Sequence, residues 1–348
     1  MRVAFVSVVP SPYQRDLFRA LAERVDLSVF YLEAAAPDSP WPETALAPFE
    51  RVLPGFWFAL RGARFHINRR LPDVRGFDVV VMNTLMSLAA QWMMRGPLRA
   101  KPWIFWGERL TRRGGWHDWL SAPLHRAAGI AAIGSVAQRD YRGRFPEPRS
   151  FCIPYHCDLT PFLAQPRRAP GADVVFLFCG QMIARKGVDL LLAAFARLEG
   201  ARLLLVGREA ELPELLAALP QSVRERIEYA GFQAPEELPR FFARADVFVL
   251  PSRYDGWGVV VNQALGAGLP VICSDAVGAG HDLVDEERNG LRFTAGDAAA
   301  LEHAMRRFLD EPAIIGPWGD ASRAKAHTLT PECGAEKWVD AFRQIGAL

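Results

Sequence analysis

Short, nearly continuous apolar runs recur along this chain, separated by longer stretches with helical periodicity. The alternation runs through both halves. In the first half the runs are residues 3–9, 27–32, 79–82, 103–106 and 130–133. Between them the apolar spacing predicts helices over 13–23, 87–95, 116–127 and 136–144. In the second half the runs are 174–179, 202–206, 227–229, 247–250, 271–274 and 291–293. The intervening helices are predicted over 188–198, 212–219, 235–243, 259–266 and 298–309. Runs of Val, Ile, Leu and Phe without polar alternation are parallel strands buried on both faces. The predicted fold is therefore α/β, with two doubly wound Rossmann-like domains in sequence facing a cleft. The cleft is the default place for a ligand.

A segment rich in Pro, Gly and Arg, residues 161–171, separates the halves. It divides the chain into domains 1–165 and 166–330. The tail, 331–348, carries Trp338, Val339, Phe342 and Ile345 at helical spacing, an amphipathic helix expected to pack back on the first domain.

Charge divides along the same line. Lys plus Arg number 41 against 39 Asp plus Glu, but residues 1–170 are net +9 and residues 171–348 net −7. The balance excludes a protein that coats nucleic acid by bulk charge, and no nucleic-acid-binding module accompanies the basic half. The five cysteines form no CxxC pair and no ligand array with His, which reads as reduced packing and no metal site. No apolar run reaches the length of a membrane-spanning helix. The start, MRVAFVSVVP, reads as a first strand rather than a signal peptide. The expected location is cytoplasmic, peripheral at the inner face of the membrane.

Two dense motifs carry the chemistry. In FCGQMIARKG, a strand ends at Cys179, Gly180 permits a sharp turn, and Arg185 and Lys186 precede a helix. A helix N-terminus favours an anion, and Arg and Lys engage phosphate, so the pair is a candidate diphosphate site; a solvated pair on an ordinary loop is the alternative. In VLPSRYDGWGVVVNQALGAG, a buried strand stops at Pro251. A loop with Asp255, Gly256 and Gly258 follows, and a helix begins near Val259. The glycines let a ligand approach the backbone, and Gln263, one turn into the helix, can hydrogen-bond a diol. A tight turn and an Asp255 helix cap remain the plain alternative.

Together the two motifs resemble the donor half of the GT-B glycosyltransferases of group 1 (family 4). The resemblance is firm over residues 178–293, and Ile153–Asp158 (IPYHCD) is similar to the segment that ends the family's first domain. It implies a retaining hexosyltransferase that moves a sugar from a nucleotide-diphosphate donor, a UDP-sugar in preference to a GDP-sugar, to an acceptor hydroxyl. Arg185 and Lys186 would hold the diphosphate. Asp255, one methylene shorter than the family's glutamate, would contact the sugar. Gln263 stands where the family has a second acid that binds the ribose, and it lacks that acid's charge. The backbone of Gly256, Trp257, Gly258 and Val259 would line sugar and phosphates. Gly180, Gly207, Arg208 and the segment 229–232 with Phe232 would form the nucleoside pocket; for Arg208, solvent exposure is the alternative. The chain has no DxD triplet, which fits a metal-independent reaction without a cofactor, and it offers no convincing protein nucleophile. The resemblance further implies a glycan or lipid-linked acceptor in bacterial envelope or extracellular glycan synthesis. Two alternatives stand beside it: a nucleotide- or glycan-binding pseudoenzyme, which Gln263 motivates, and a sugar-nucleotide epimerase.

The first half offers fewer markers. Asn83 and Thr84 stand where many relatives carry a His. Glu108, after another buried strand, is placed to orient or deprotonate the acceptor, or alternatively to pair with Arg109 or Arg112. Ser11 either caps the helix beginning near Pro12 or faces the cleft with Tyr13 and Arg15. Seven of ten tryptophans lie at or before Trp119, and residues 56–70, 91–103 and 111–120 mix aromatics with Arg. That mixture suits peripheral contact with an anionic membrane, stacking on sugar rings, or an ordinary core with solvated Arg.

Overall fold

The computed structural model describes residues 1–35, 45–60, 63–110, 114–169 and 171–347. Two compact units make up the chain. One is Met1–Cys157 with Pro331–Leu348, the other Asp158–Thr330. The change of unit falls ahead of the Pro/Gly/Arg-rich segment, not at residue 165. Helix Thr160–Leu163 is packed inside the second unit, where Phe162 meets Phe242 edge-on at 5.3 Å.

The first unit is built on seven parallel strands: β1 (Arg2–Ser7), β2 (Asp26–Tyr31), β3 (Glu50–Val52), then β6 (Val79–Met82), β7 (Trp103–Gly107), β8 (Gly129–Ala132) and β9 (Arg149–Cys152). Their order is β3-β2-β1-β6-β7-β8-β9. Between β3 and β6 the chain forms an antiparallel hairpin of β4 (Gly55–Leu60) and β5 (Ala63–Asn68), with Phe56 opposite Ile67 and Trp57 opposite His66. The sheet centre is fully buried, as the continuous apolar runs require: Phe5, Val80, Ile104 and Trp106 have no exposure.

The tail helix, Pro331–Gln344, covers one face of this sheet beside helix Pro12–Ala22. Buried Trp338 stacks edge-on against Phe5 at 5.0 Å and Trp106 at 5.5 Å. Gly334 allows the close approach, since a Cβ there would stand 2.7 Å from the His156 ring.

The second unit has six parallel strands: β10 (Val174–Cys179), β11 (Ala201–Val206), β12 (Ile227–Tyr229), β13 (Val247–Leu250), β14 (Val271–Ser274) and β15 (Gly290–Phe293). Their order is β12-β11-β10-β13-β14-β15. In both sheets the chain winds outward from one strand, then returns and winds the other way. The reversal lies between β1 and β6 in the first unit and between β10 and β13 in the second. Such a switch point parts the loops at the carboxyl ends of two neighbouring strands, which is where open α/β sheets bind ligands.

Several sequence expectations change. The helix expected over 116–127 is an α-helix only over Trp116–Ser121, then a 3-10 turn over Ala122–Arg126, with Pro123 at the change. Ser11 occupies the position before helix Pro12–Ala22, yet its hydroxyl makes no capping bond. Arg15 is not a ligand-facing cation. It is buried and donates to both carboxylate oxygens of Glu50, at 2.8 and 2.7 Å.

Candidate active site

The switch point of the second sheet brings the two motifs together. After β10, the segment Gly180–Gly187 turns back through a short 3-10 helix, Ala184–Lys186, into helix Val188–Phe195. After β13, Pro251–Val259 leads into helix Val260–Ala267. Lys186 Nζ stands 2.5 Å from Asp255 Oδ2, with the two side chains 18% and 12% exposed. Arg185 lies beside them and reaches the Tyr254 carbonyl at 3.2 Å. Two cations and a carboxylate, 69 residues apart in sequence, thus share one site.

Glycines set the backbone of this site. Gly187 is left-handed, with φ 73°, and a Cβ there would lie 2.0 Å from the Pro251 carbonyl oxygen. Only glycine lets the Arg-Lys loop close onto the end of β13. Gly207 has φ 136°, and a Cβ would stand 1.9 Å from the Gly180 carbonyl oxygen, so the ends of β10 and β11 touch backbone to backbone.

Three braces that the sequence did not disclose hold the Arg-Lys loop. Arg253 donates to the Ala184 carbonyl at 2.6 Å and makes a two-bond ion pair with Asp189 at 2.7 Å each. The Arg253 hydrogen bond holds the Asp189 carboxyl below its ordinary value. From the other side, Ala184 N–H donates to Glu211 at 3.0 Å, and Met182 N–H to the Arg208 carbonyl at 2.9 Å. The signal for Arg253 was its place within the second motif; its partner emerges only from the tertiary pairing.

Asp255 is fixed by main chain. Its N–H donates to the Ala276 carbonyl at 3.1 Å, and its carbonyl accepts from Gly278 N–H at 3.1 Å. It is no helix cap, because the residue before helix Val260–Ala267 is Val259. Gly258, with φ 88°, completes the turn. The Trp257 side chain is wholly buried and donates to Asn262 at 3.0 Å, so at this site Trp257 offers main chain alone. Gln263 is half-buried in the first turns of that helix.

Arg208 is exposed, as one alternative held, but it is not idle: its guanidinium lies 5.9 Å over the Phe232 ring. Tyr229 donates to the Gly207 carbonyl at 2.9 Å, which groups Gly207, Arg208, Tyr229 and Phe232 at the ends of β11 and β12. Cys179 faces Lys186, but burial pushes its thiol up to about 12, so it is no thiolate nucleophile.

The first sheet has its own polar edge. At its switch point Ser7 Oγ lies 2.9 Å from Gln14 Oε1 and 3.0 Å from Asn83 Oδ1, two acceptors that share its single hydroxyl proton. Gln14 Nε2 donates to Asn83 at 3.2 Å, and Asn83 Nδ2 to the Trp106 carbonyl at 3.0 Å. Asn83 therefore knits the ends of β1, β6 and β7 together. Tyr155 O–H donates to Glu108 Oε1 at 3.3 Å and its ring meets Tyr13 edge-on at 4.9 Å. Arg109 is paired with Asp140 at 2.5 Å; Arg112 lies outside the described residues.

Two cations at the switch point of one parallel sheet, with a second parallel sheet in the same chain, define a two-unit α/β protein with an anion-favouring edge. Comparison with known proteins shows what this arrangement is similar to. Residues 173–311 match the family model for glycosyl transferases, group 1. Glycogen synthase of Mycobacterium tuberculosis (strain CDC 1551 / Oshkosh) is 32% identical over 170 residues, 47% of this chain and 40% of that protein. The lipopolysaccharide core biosynthesis glycosyltransferase LpsE of Rhizobium meliloti (strain 1021) is 29% identical over 177 residues, 51% of this chain and 50% of that protein. The chain thus spans about half the length of the curated relatives it matches. Over its whole length it superposes on HepE of Anabaena, solved in complex with UDP, with a TM-score of 0.76 at 16% identity, covering 99% of this chain and 100% of that one. The chain has the GT-B fold, and residues 173–311 of its second unit are similar to the group 1 glycosyltransferases.

Proposed function

We propose that the protein transfers a sugar from a nucleotide-diphosphate donor to an acceptor hydroxyl, with retained anomeric configuration and without a metal. The observation that carries the reading is the Lys186–Asp255 pair at the switch point, with Arg185 beside it. A leaving nucleoside diphosphate gathers negative charge as the sugar's anomeric bond breaks. Preorganised cations at that place stabilise the departure, and Arg185 and Lys186 supply them. Asp255, held by main chain, hydrogen-bonds sugar hydroxyls. Gln263 bonds the ribose as a neutral amide, and Gly207, Arg208 and Phe232 hold the base.

UDP-sugars are the favoured donors; the complex of HepE with UDP supports that choice by analogy of fold. The acceptor is a glycan or lipid-linked glycan of envelope or extracellular polysaccharide synthesis, a reading supported by the similarity to a lipopolysaccharide core glycosyltransferase. On the first sheet, Glu108, oriented by Tyr155, is the group offered to the acceptor hydroxyl.

The test is turnover by purified protein of a panel of UDP- and GDP-sugars, with and without acceptor extract. Release of nucleoside diphosphate, lost in Arg185→Ala and Lys186→Ala, is expected. Nucleotide binding without turnover of any donor would instead establish a nucleotide-binding pseudoenzyme, and conversion of the donor to its epimer an epimerase.

A further inference from the structure

Two acidic side chains stand beside the Arg-Lys loop and pair with neither Arg185 nor Lys186. Asp189 is matched by Arg253. Glu211, in the turn after β11, has no Lys or Arg within ion-pair distance among the described residues. A carboxylate next to an anion site repels the anion, so Glu211 weakens the site unless it contributes in another way.

Its contribution is to the main chain. The Glu211 carboxylate accepts from Ala184 N–H at 3.0 Å. The Ala184 carbonyl accepts from Arg253 Nη1 at 2.6 Å and from Gly187 N–H at 3.0 Å. Arg253 N–H in turn donates to the Arg185 carbonyl at 2.8 Å. The residue just before Arg185 is thus gripped at both of its peptide groups by charged side chains. One comes from the loop after β11 and the other from the loop after β13.

The segment that carries Glu211 is anchored for this reach. Met182 N–H donates to the Arg208 carbonyl at 2.9 Å, and Glu211 N–H donates to the Met182 carbonyl at 2.9 Å. Met182 is fully buried, which ties the exchange to the core. Between the two bonds Ala210 is left-handed, with φ 43°, a conformation alanine rarely adopts. Such strain persists only where the surroundings hold it, and here the bonds on either side do so. The same segment starts at Gly207 and Arg208, whose guanidinium lies over the Phe232 ring. Main-chain bonds therefore join the residues assigned to the nucleoside with those assigned to the diphosphate, and Glu211 stands at the junction.

On the reading of Arg185 and Lys186 as the diphosphate grip, we propose that Glu211 is a positioning residue of the donor site. Its carboxylate fixes the backbone at Ala184, so that the two cations meet a diphosphate already ordered. The sign of its effect sets this role apart from simple electrostatics. By Coulomb's law alone, removing a negative charge beside an anion site strengthens anion binding. Removing a brace weakens it, because the ligand must then order the loop, which costs binding free energy.

Titration calorimetry of the intact protein with inorganic pyrophosphate, and separately with UDP, tests the proposal. Glu211→Ala should bind both about fivefold more weakly, the worth of one ordinary hydrogen bond. Its circular dichroism and melting temperature should stay close to wild type, since Glu211 is exposed. Glu211→Gln keeps an oxygen for the Ala184 N–H and should recover most of the loss, although it has the same charge as the Ala variant. Glu211→Met, of similar length but without that oxygen, should bind as the Ala variant does, and it takes that variant's place should the Ala variant fold poorly. Tighter or unchanged pyrophosphate binding in Glu211→Ala overturns the proposal, as does a Gln variant no better than the Met variant. Pyrophosphate and UDP binding that survives Arg185→Ala/Lys186→Ala overturns it together with the diphosphate assignment. Sugar transfer is not a readout, so a wild-type protein that binds diphosphate but transfers no sugar refutes the transferase reading alone.

Discussion

Replacing Asp255 with Ala separates two effects that the site holds together. Lys186 Nζ lies 2.5 Å from Asp255 Oδ2, and both side chains are less than a fifth exposed. The pair is therefore not a solvent-screened surface contact. A hydrogen bond to a charged group contributes about 1.5–3 kcal/mol. An arriving diphosphate has to draw the ammonium from the carboxylate or share it. Deleting the carboxylate frees Lys186 and removes an anion from beside the phosphates. UDP without a sugar is then expected to bind about tenfold more tightly, a gain of about 1.4 kcal/mol. That is the lower end of the range, because the freed ammonium is partly hydrated before the nucleotide arrives. Sugar transfer should move the other way, since on the proposed reading the group that contacts the sugar hydroxyls is gone. A fall in kcat/KM of about 100-fold, near 2.7 kcal/mol, is expected. Titration calorimetry with UDP and steady-state rates with the donor sugar measure the two effects separately. Lys186→Ala should lower both. Weaker UDP binding in Asp255→Ala, or an unchanged kcat/KM, would refute the assignment of these two side chains.

Gly187→Ala places a Cβ 2.0 Å from the Pro251 carbonyl at φ 73° and should cost roughly 3 kcal/mol or more, read as a melting temperature lower by on the order of 10 °C. Glu50→Gln leaves Arg15 buried without its counter-charge and should destabilise by about 3 kcal/mol in chemical denaturation, while Arg15→Met/Glu50→Leu recovers much of the loss. Burial, with Lys337 nearby, pulls the buried His156 from 6.5 down to about 4. The folded chain thus keeps His156 neutral where the unfolded chain has taken a proton. Stability should be full above pH 6.5 and fall by about 3 kcal/mol as pH drops toward 4, a slope that His156→Gln removes in denaturation curves across pH. Tyr155→Phe should lower acceptor-dependent kcat by about tenfold with donor affinity unchanged, because Glu108 loses the phenol that orients it.

How much of this was legible in the sequence depended on how local each cause is. β10, β12, β13 and β14 fall at the residues their apolar runs predict, because a parallel strand buried on both faces writes its length directly into the chain. The β4–β5 hairpin was not legible. Phe56, Trp57 and Phe58 run consecutively and Arg64 interrupts the return strand, so the segment lacks the clean alternation of a half-buried pair. Helix Gly278–Leu283 was hidden by its composition. Two glycines in six residues read as loop, and Gly278 is needed because a Cβ there would stand 2.3 Å from the Gly256 carbonyl oxygen. The Arg185, Lys186 and Asp255 positions were visible as motifs. The Arg253–Asp189 brace, 64 residues apart in sequence, exists only once β10 and β13 are neighbours.

The two switch points also explain what the basic charge of the first half does not do. In the second unit, the edge between β10 and β13 holds formal charges, Lys186 and Asp255, with Arg185 adjoining. That is the composition the proposed leaving diphosphate calls for. In the first unit, the edge between β1 and β6 is made of neutral groups: the Ser7 hydroxyl and the Gln14 and Asn83 amides, hydrogen-bonded to one another. Arg15, the cation closest in sequence to that edge, is committed to Glu50 and to the Ala45 carbonyl at 2.7 Å. A phosphate at this edge would meet no free guanidinium from Arg15, whereas a neutral hydroxylated ring would meet amides and the Tyr13 and Tyr155 rings. The surplus of Arg therefore belongs elsewhere. Arg95 lies over the exposed Trp119 ring, and Arg95, Arg99 and Arg126 have no carboxylate within ion-pair distance among the described residues. A variant that neutralises Arg99 and Arg126 should thus leave the kinetics toward a soluble acceptor unchanged, whereas Asn83→Ala should change acceptor kinetics. Steady-state rates of the two variants check both halves of this division, and slowed transfer to a soluble acceptor on neutralising Arg99 and Arg126 would refute it.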